Sequence, residues 1–556
     1  MQSILIYFLN VLALLEFVNG AYGGHVPPVD LGYAVYAPTN MNETTGYVSY
    51  DNIRYAAAPL GKLRFAPPAA PVQVRASGLI NGSSIKNICP QANISWAFTA
   101  IPGLGDDAKY SIVNIVEPFN QSEDCLFLDV RTPRKSFDRR RFGKKLAPVL
   151  VYIHGGGNVV GNKALPYDST GLLAEGGGDM VFVALQYRDT KGKLTLPTKL
   201  GAFGWLADPG DIQDITPNLG LLDQRAALVW IQRYISRFGG DPKQVTLMGE
   251  SSGGASVLLQ STAYGGEKDT RLFKRIISQS PFIVNITKSQ QKRAFKDFLN
   301  ALNVSSIANA KQLPTEDLVS ANSKVIEGSA YGTFTFGPVI DGGLVPEYPS
   351  KLLLQGKCNR KVSIMAAHNS NEGRLFTNQS AALDSSYLDY LRTTYPAASS
   401  STLAYVNTTL YPPVYDGSQP YKTPLDRLTL TIAESEMTCQ SYAAARAFPA
   451  HGFEYVLAVP PGLHFQDNQY VFNDGRPAPW VNRTLSSALQ RYIANFAKTG
   501  DPNGGRKGAA VPASFPPFSE KKESLVLAND GVKTAKTRDE KAVKRCEFWA
   551  NGDIYA

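Results

Sequence analysis

Cysteine and histidine are both scarce in this chain, at five residues each among 556. Cys89, Cys125, Cys358, Cys439 and Cys546 are too few for a disulfide-held scaffold, and no Cys-x-x-Cys spacing points to a zinc site, so no metal is expected. In an oxidising compartment they would form two bridges and leave one thiol. Low-complexity tracts and regular repeats are absent, which sets aside disorder and repeat architectures for the chain as a whole. Charge of one sign is not concentrated either: the formal net charge is +9, yet residues 519–549 mix both signs and no basic motif alternates with aromatics. The excess therefore reads as a solvated basic face, and no nucleic-acid partner is expected.

What is present is ordinary for a globular protein with a sizeable core, 44% hydrophobic and 19% charged. The length fits three or four domains, or one large α/β domain with insertions. The apolar run from Ile4 to Val18, followed by small residues with Val18 and Gly20 placed for cleavage before Ala21, reads as a secretory signal over residues 1–20. Nine Asn-x-Ser/Thr sequons support that reading: Asn42, Asn81, Asn93, Asn120, Asn285, Asn303, Asn378, Asn407 and Asn482. The C-terminal segment carries no ER-retention or lipid-anchor signal, so free secretion is expected, with no membrane-spanning segment in the mature chain.

The stretch "TLMGESSGGAS", Thr246 to Ser256, follows a short apolar run that suits a strand buried on both faces, and leads into a helix-forming segment. Ser251 is the centre of Gly249-Glu250-Ser251-Ser252-Gly253, a Gly-x-Ser-x-Gly nucleophile elbow, in which flanking glycines let strand and helix approach while the turn exposes Oγ. The bland alternative is a glycine-rich turn. A serine hydroxyl is a poor nucleophile at neutral pH, so the motif requires a histidine base, an acid and an oxyanion hole. "PVLVYIHGGGN" supplies the last: after a strand Pro148 to Ile153, the amides of Gly156 and Gly157, with that of Ser252, are candidate oxyanion donors.

Where such an elbow carries the nucleophile, the order along the chain is serine, acid, histidine, which removes His25 and His154. His451 and His464 flank a strand Phe453 to Val459, and catalytic groups gather at the carboxyl ends of parallel strands, which selects His464. The acid should follow another strand; Lys361 to Ala367 leads to a polar loop holding Glu372, while His368 reads as structural.

With these residues assembled, the chain resembles the type-B carboxylesterase and lipase family of α/β hydrolases, which includes cholinesterases and secreted fungal esterases. The likeness rests on "LRFAPP" (Leu63 to Pro68), "SEDCLFLDVRTP" (Ser122 to Pro133), "HGGGN", "NLGLLDQRAALVWIQRYISRFGGDP" (Asn218 to Pro242), "GESSGGAS", "GPVIDG" (Gly337 to Gly342), "NEGRLF", "PPGLHFQD" and "FAKTGDPN" (Phe496 to Asn503). It implies one α/β-hydrolase domain over residues 21–556: a central, mainly parallel sheet flanked by helices, with loop and helical insertions. It also implies a serine ester hydrolase without a cofactor, acting through Ser251, Glu372 and His464. The same resemblance implies bridges Cys89–Cys125 and Cys439–Cys546, a free Cys358, and an ion pair between Arg64 and Glu123. Two departures stand out: Ser252 replaces the family's usual alanine, and Asp189 to Lys199 lengthens a segment that the family joins directly.

The Cys89–Cys125 loop is long, as in fungal lipases, and holds Trp96, Phe98, Ile101, Leu104, Ile112, Val113, Ile115, Val116 and Phe119. Ile115 stands where cholinesterases carry a choline-stacking tryptophan, so choline esters are not expected substrates. The loop is either a mobile lid over an apolar acyl site or a fixed loop packed on the core. Residues 379–436 are expected to form helical insertions around the pocket. The substrate is thus a small-molecule or lipid ester: a broad carboxylesterase is expected, with a lipase or sterol esterase as the alternative, and a non-catalytic binding protein of this family as the reading from another class.

Overall fold

Strands buried on both faces need covering layers on both sides, and this chain writes several of them as unbroken apolar runs. Val181–Leu185 is buried at all positions, and Gly452–Leu457 likewise. The computed structural model describes residues 26–554 except 75–77, 86, 92–95, 97–119, 142, 144, 165–167, 189–200, 208–209, 211–214, 269, 285, 382, 449–450, 477, 479–480, 505–507, 519–521 and 553. The signal segment, most of the loop between Cys89 and Cys125, and the Asp189–Lys199 segment therefore lie outside the described residues.

Among the described residues an 11-stranded sheet organises the fold. In chain order its strands are β1 Asn40–Asn42, β2 Tyr47–Arg54, β3 Phe127–Pro133, β4 Ala147–Ile153, β5 Val181–Leu185, β6 Gly240–Glu250, β7 Arg275–Gln279, β8 Ser363–Asn369, β9 Gly452–Leu457, β10 Ser524–Ala528 and β11 Gly531–Ala535. Their spatial order is β11-β10-β9-β8-β7-β6-β4-β5-β3-β2-β1. The run from β10 to β5 is parallel, whereas β11 at one edge and β3, β2 and β1 at the other pair antiparallel. This is the α/β-hydrolase architecture.

Strand alternation sorts the side chains into two cores. Val149, Val151 and Ile153 of β4 face one, while Leu150 and Tyr152 face the other. The helices that matter for the site are α1 Leu219–Tyr234, α2 Ser252–Thr262, α3 Lys288–Ala301, α4 Thr315–Glu327, α5 Asp384–Thr394, α6 Pro424–Ala433, α7 Cys439–Ala447, α8 Arg483–Thr499 and α9 Glu540–Asn551. Helix α8 brings Leu489, Ile493 and Phe496 onto the Leu150 side, and α1 and α2 cover the Val151 side. Within residues 379–436 the helical elements are α5, Ser400–Tyr405 and α6; π-helical turns, Val406–Leu410 and Glu434–Thr438, follow directly on the last two.

Cys89 is bonded to Cys125 and Cys439 to Cys546, and the buried Cys358 is free. Arg64 and Glu123 form the expected pair, two-pronged at 2.9 and 2.7 Å. The bridges span 36 and 107 residues. The longer loop forfeits more chain entropy, so replacing Cys439 and Cys546 with alanine should lower the unfolding free energy by about 5 kcal/mol, against about 4 for the Cys89–Cys125 pair. Denaturant titration of the two double variants would check this; a larger loss for the shorter loop would refute it.

Among the sequons, Asn42, Asn81, Asn303, Asn378 and Asn482 are exposed. Asn407 is half-buried, with its Oδ1 accepting from Arg427 at 2.6 Å. Asn93, Asn285 and the side chain of Asn120 are outside the described residues.

Candidate active site

Strand β6 ends at Glu250 and α2 begins at Ser252, so the turn between them is a single residue. Ser251 takes φ 59° and ψ −126°, a region that side-chain-bearing residues rarely adopt and that stores of the order of 1–3 kcal/mol. The glycines around it have a steric cause. A Cβ on Gly253 would stand 2.2 Å from the carbonyl oxygen of Ile153, and one on Gly249 would stand 2.5 Å from that of Gly253. Only bare backbone lets β6, β4 and α2 meet this closely.

The His154-Gly155-Gly156-Gly157 segment leaves β4 and lies against the elbow. A Cβ on Gly155 would come within 2.9 Å of Ser251 Cβ, and Asn158 N–H donates to Ser252 Oγ at 3.4 Å. Gly156 and Gly157 have φ of 115° and 61°, backbone open to glycine and rare for other residues. A Cβ on Gly157 would also strike the Phe334 ring at 1.9 Å. His154 is stacked on Tyr187 with ring centroids 4.4 Å apart, and burial pushes its pKa down to about 4. It is a packed neutral residue of the loop.

Glu372 and His464 arrive from the carboxyl ends of β8 and β9. The strands run Ser363–Asn369 and Gly452–Leu457, about two residues from the sequence-based bounds, and His451 precedes β9 at the opposite end. Beyond them a bridge between Asn371 and Leu463, with Asn371 N–H donating to Gly462 O at 2.7 Å, ties the two loops together. His464 Nδ1 lies 2.6 Å from Glu372 Oε2. The other oxygen, Oε1, accepts from Ser280 Oγ at 2.6 Å and from Asn369 N–H. Burial opposes ionisation of Glu372, but the His464 charge and these hydrogen bonds outweigh it and hold the carboxyl below the usual range. His368, by contrast, donates Nδ1–H to Asn369 O at 2.9 Å and accepts at Nε2 from Arg538 at 3.2 Å, next to the Arg538–Glu454 pair.

Two acids here escaped the sequence reading. Glu250, fully buried beside the serine, places Oε1 3.3 Å from His464 Nε2, and neither of its carboxyl oxygens has a hydrogen-bond partner among the described residues. Asp467 accepts from Gln279 Nε2 at 2.7 Å and Tyr455 Oη at 2.8 Å. Burial, then the charges of Asp467 and Glu372, push the Glu250 carboxyl well above its usual range. The folded chain thus holds a proton that the unfolded chain releases, so this contribution to stability falls as pH rises from the unfolded towards the folded pKa. Glu250→Gln should therefore gain thermal stability relative to wild type between pH 5 and pH 8. Melting curves with a pH-independent gap would refute that.

Aromatic rings wall the site. Phe376 is 5.1 Å from His464, Phe282 is 4.7 Å from Phe376, and Phe334 is 5.3 Å from Phe282. Trp96, from the long loop, is buried against Phe334 and Phe376 and donates its indole N–H to Thr333 O at 3.2 Å. The "NEGRLF" motif carried Phe376 in plain view, four residues after Glu372; Phe282 and Phe334 had no local signal.

A model described as the carboxylesterase family matches residues 37–549. The chain belongs to the carboxylesterase family. It is similar to carboxylesterase patB of Aspergillus clavatus, at 38% identity over 98% of this chain and 99% of that one. Secreted lipase 1 of Botryotinia fuckeliana is 28% identical over 86% of this chain and 85% of its own length. The crystal structure of Aspergillus niger EstA superposes with a TM-score of 0.78 at 24% identity, covering 95% of this chain and 98% of that one, and shows the shared fold. This carboxylesterase-family member is accordingly an ester-cleaving hydrolase that takes small-molecule ester substrates. Among the described residues no helix is long and apolar enough to cross a membrane.

Proposed function

We propose that the chain is a secreted serine carboxylesterase in which Ser251 is the nucleophile, His464 the general base and acid, and Glu372 the residue that orients it. The observation that supports this reading is the 2.6 Å contact between His464 Nδ1 and Glu372 Oε2, with Glu250, the residue before the serine held at φ 59°, 3.3 Å from His464 Nε2. With Nδ1–H engaged by Glu372, the neutral imidazole presents Nε2 as base. Ser251 Oγ attacks the ester carbonyl as its proton passes to Nε2. The amides of Gly156, Gly157 and Ser252, which donate to no protein acceptor among the described residues, take up the oxyanion. Collapse of the tetrahedral intermediate breaks the ester C–O bond and the imidazolium protonates the departing alcohol. Water, deprotonated by the same imidazole, then cleaves the acyl-enzyme.

Secretion draws support from the two bridges, the exposed sequons and the likeness to a secreted fungal lipase. The test is a fluorophosphonate probe followed by peptide mapping, paired with p-nitrophenyl esters from acetate to palmitate. Labelling confined to Ser251 with a short-chain optimum supports the proposal. A long-chain optimum favours the lipase reading, and an inert, folded protein defeats both.

A further inference from the structure

Behind the aromatic wall lies a cavity of about 580 Å³ that the mechanism does not use. Phe282 and Phe334 form its inner end; α3, α4 and α5 form its sides. Its position relative to the reacting bond follows from those two rings. Phe334 covers Gly157, an oxyanion donor, and Phe282 N–H donates to the Ser251 carbonyl at 3.1 Å. The acyl group stays on Ser251 after the alcohol leaves past His464. The cavity therefore lies across the Phe282 and Phe334 rings from the acyl side; neither Ser251 nor Phe376, beside His464, is part of its lining, so an acyl arm enters it by passing those two rings.

An alkyl-binding pocket would be apolar to its end. This one contains Glu436, a carboxyl side chain only 8% exposed, brought there by the π-helical turn Glu434–Thr438. Such turns recur at functional sites because they redirect one side chain out of the helical register. Glu436 Oε1 accepts from Tyr395 Oη at 3.1 Å, while Oε2 has no hydrogen-bond partner among the described residues. The Glu436 backbone carbonyl accepts from Ile283 N–H at 3.4 Å, which ties the π-helical turn to the residue after Phe282. Burial, partly offset by hydrogen bonds from Tyr395 and Ser435, pushes this carboxyl up to about 7. An acid poised there exists in both forms at neutral pH.

We propose that Glu436 is a specificity residue that hydrogen-bonds a hydroxyl on the acyl arm of the ester, so that the preferred substrates are esters of hydroxylated acids. A hydroxyl satisfies Glu436 in either form, donating to the carboxylate or accepting from the acid. An ammonium suits only the ionised form, and Arg293 and Lys324 against Asp297 leave the mouth with an excess of positive charge. A carboxylate substrate suits only the neutral form. A plain alkyl chain would bury Oε2 with no partner.

The inference rests on Ser251 being the nucleophile, and the assay separates the two claims. p-Nitrophenyl esters of ω-hydroxy acids of six to ten carbons are compared with the unsubstituted esters of equal length. For at least one length, wild type should show a kcat/KM about tenfold higher for the hydroxy ester, the worth of one net hydrogen bond. Glu436→Leu should reverse that ratio and Glu436→Gln should keep most of it. The ratio does not depend on how much enzyme is folded. Ser251-dependent turnover of alkyl esters without a hydroxy preference overturns this inference alone, as does a preference that survives Glu436→Leu. Failure of Ser251 to support any turnover overturns the nucleophile assignment and this inference with it.

Discussion

Ser251→Ala should reduce kcat for p-nitrophenyl esters by about 10⁶-fold, with KM little changed, the scale seen when a serine nucleophile is removed from an intact triad. The change deletes one oxygen and leaves the backbone of the elbow untouched. The Gly156, Gly157 and Ser252 amides stay in place, so residual catalysis of about 10³ to 10⁴ over water should persist. The companion Ser251→Gly separates chemistry from strain. Ser251 is held at φ 59° by the meeting of β6 and α2, and glycine adopts such a conformation without steric penalty. That variant should be as inactive as the alanine form yet more stable by about 1 kcal/mol. Activity above about one hundredth of wild type in either variant would place the nucleophile elsewhere.

The residues of the candidate site could be picked from the chain because the proposed chemistry imposes order along the sequence. A strained serine needs small neighbours, and Gly249 and Gly253 stand where any Cβ would meet backbone at 2.5 Å or less. Strand direction distinguished His464 from His451, because a parallel sheet has only one end at which several strands release their loops. The limits were equally physical. Strand bounds shifted by about two residues because the ladder is set by partners: His368 pairs with Val456 and Asn369 with Leu457, far away in sequence. The edge strand β1, with burial that never completes, carried no apolar signature. Glu250 was visible within the serine motif but reads there as a strand end; only the fold reveals His464 Nε2 at 3.3 Å and Asp467 behind it. Glu436 was still less legible. It sits at a π-turn, where side-chain direction departs from the 3.6-residue period on which sequence patterns depend, and it meets Tyr395 across 41 residues of chain.

Glu372→Gln should lower kcat by about 10⁴-fold while leaving the Ser251, Gly156 and Gly157 backbone in place. The carboxylate is fully buried and acceptor-only, and every partner it has is a donor: His464 Nδ1, Ser280 Oγ, and the Asn369 N–H and Nδ2. A glutamine brings an NH2 group into that ring of donors. Whichever way the amide is turned, one contact sets donor against donor. If the NH2 faces His464, the imidazole is driven to the tautomer with its proton on Nε2, where it can no longer accept from Ser251. If it faces Ser280 and Asn369, the tautomer survives but the imidazolium loses its counter-charge, and the buried Asn369 N–H is left unpaired. The pH dependence gives a second readout. Glu372 is held below the usual carboxylate range, so its stabilising contribution is present above the unfolded pKa and lost as pH falls through the folded one. Wild type should lose stability on acidification more steeply than Glu372→Gln, and the two melting temperatures should converge at low pH. A glutamine variant with wild-type kcat, or a stability gap that widens in acid, would mean that Glu372 does not serve His464 as an ionised partner.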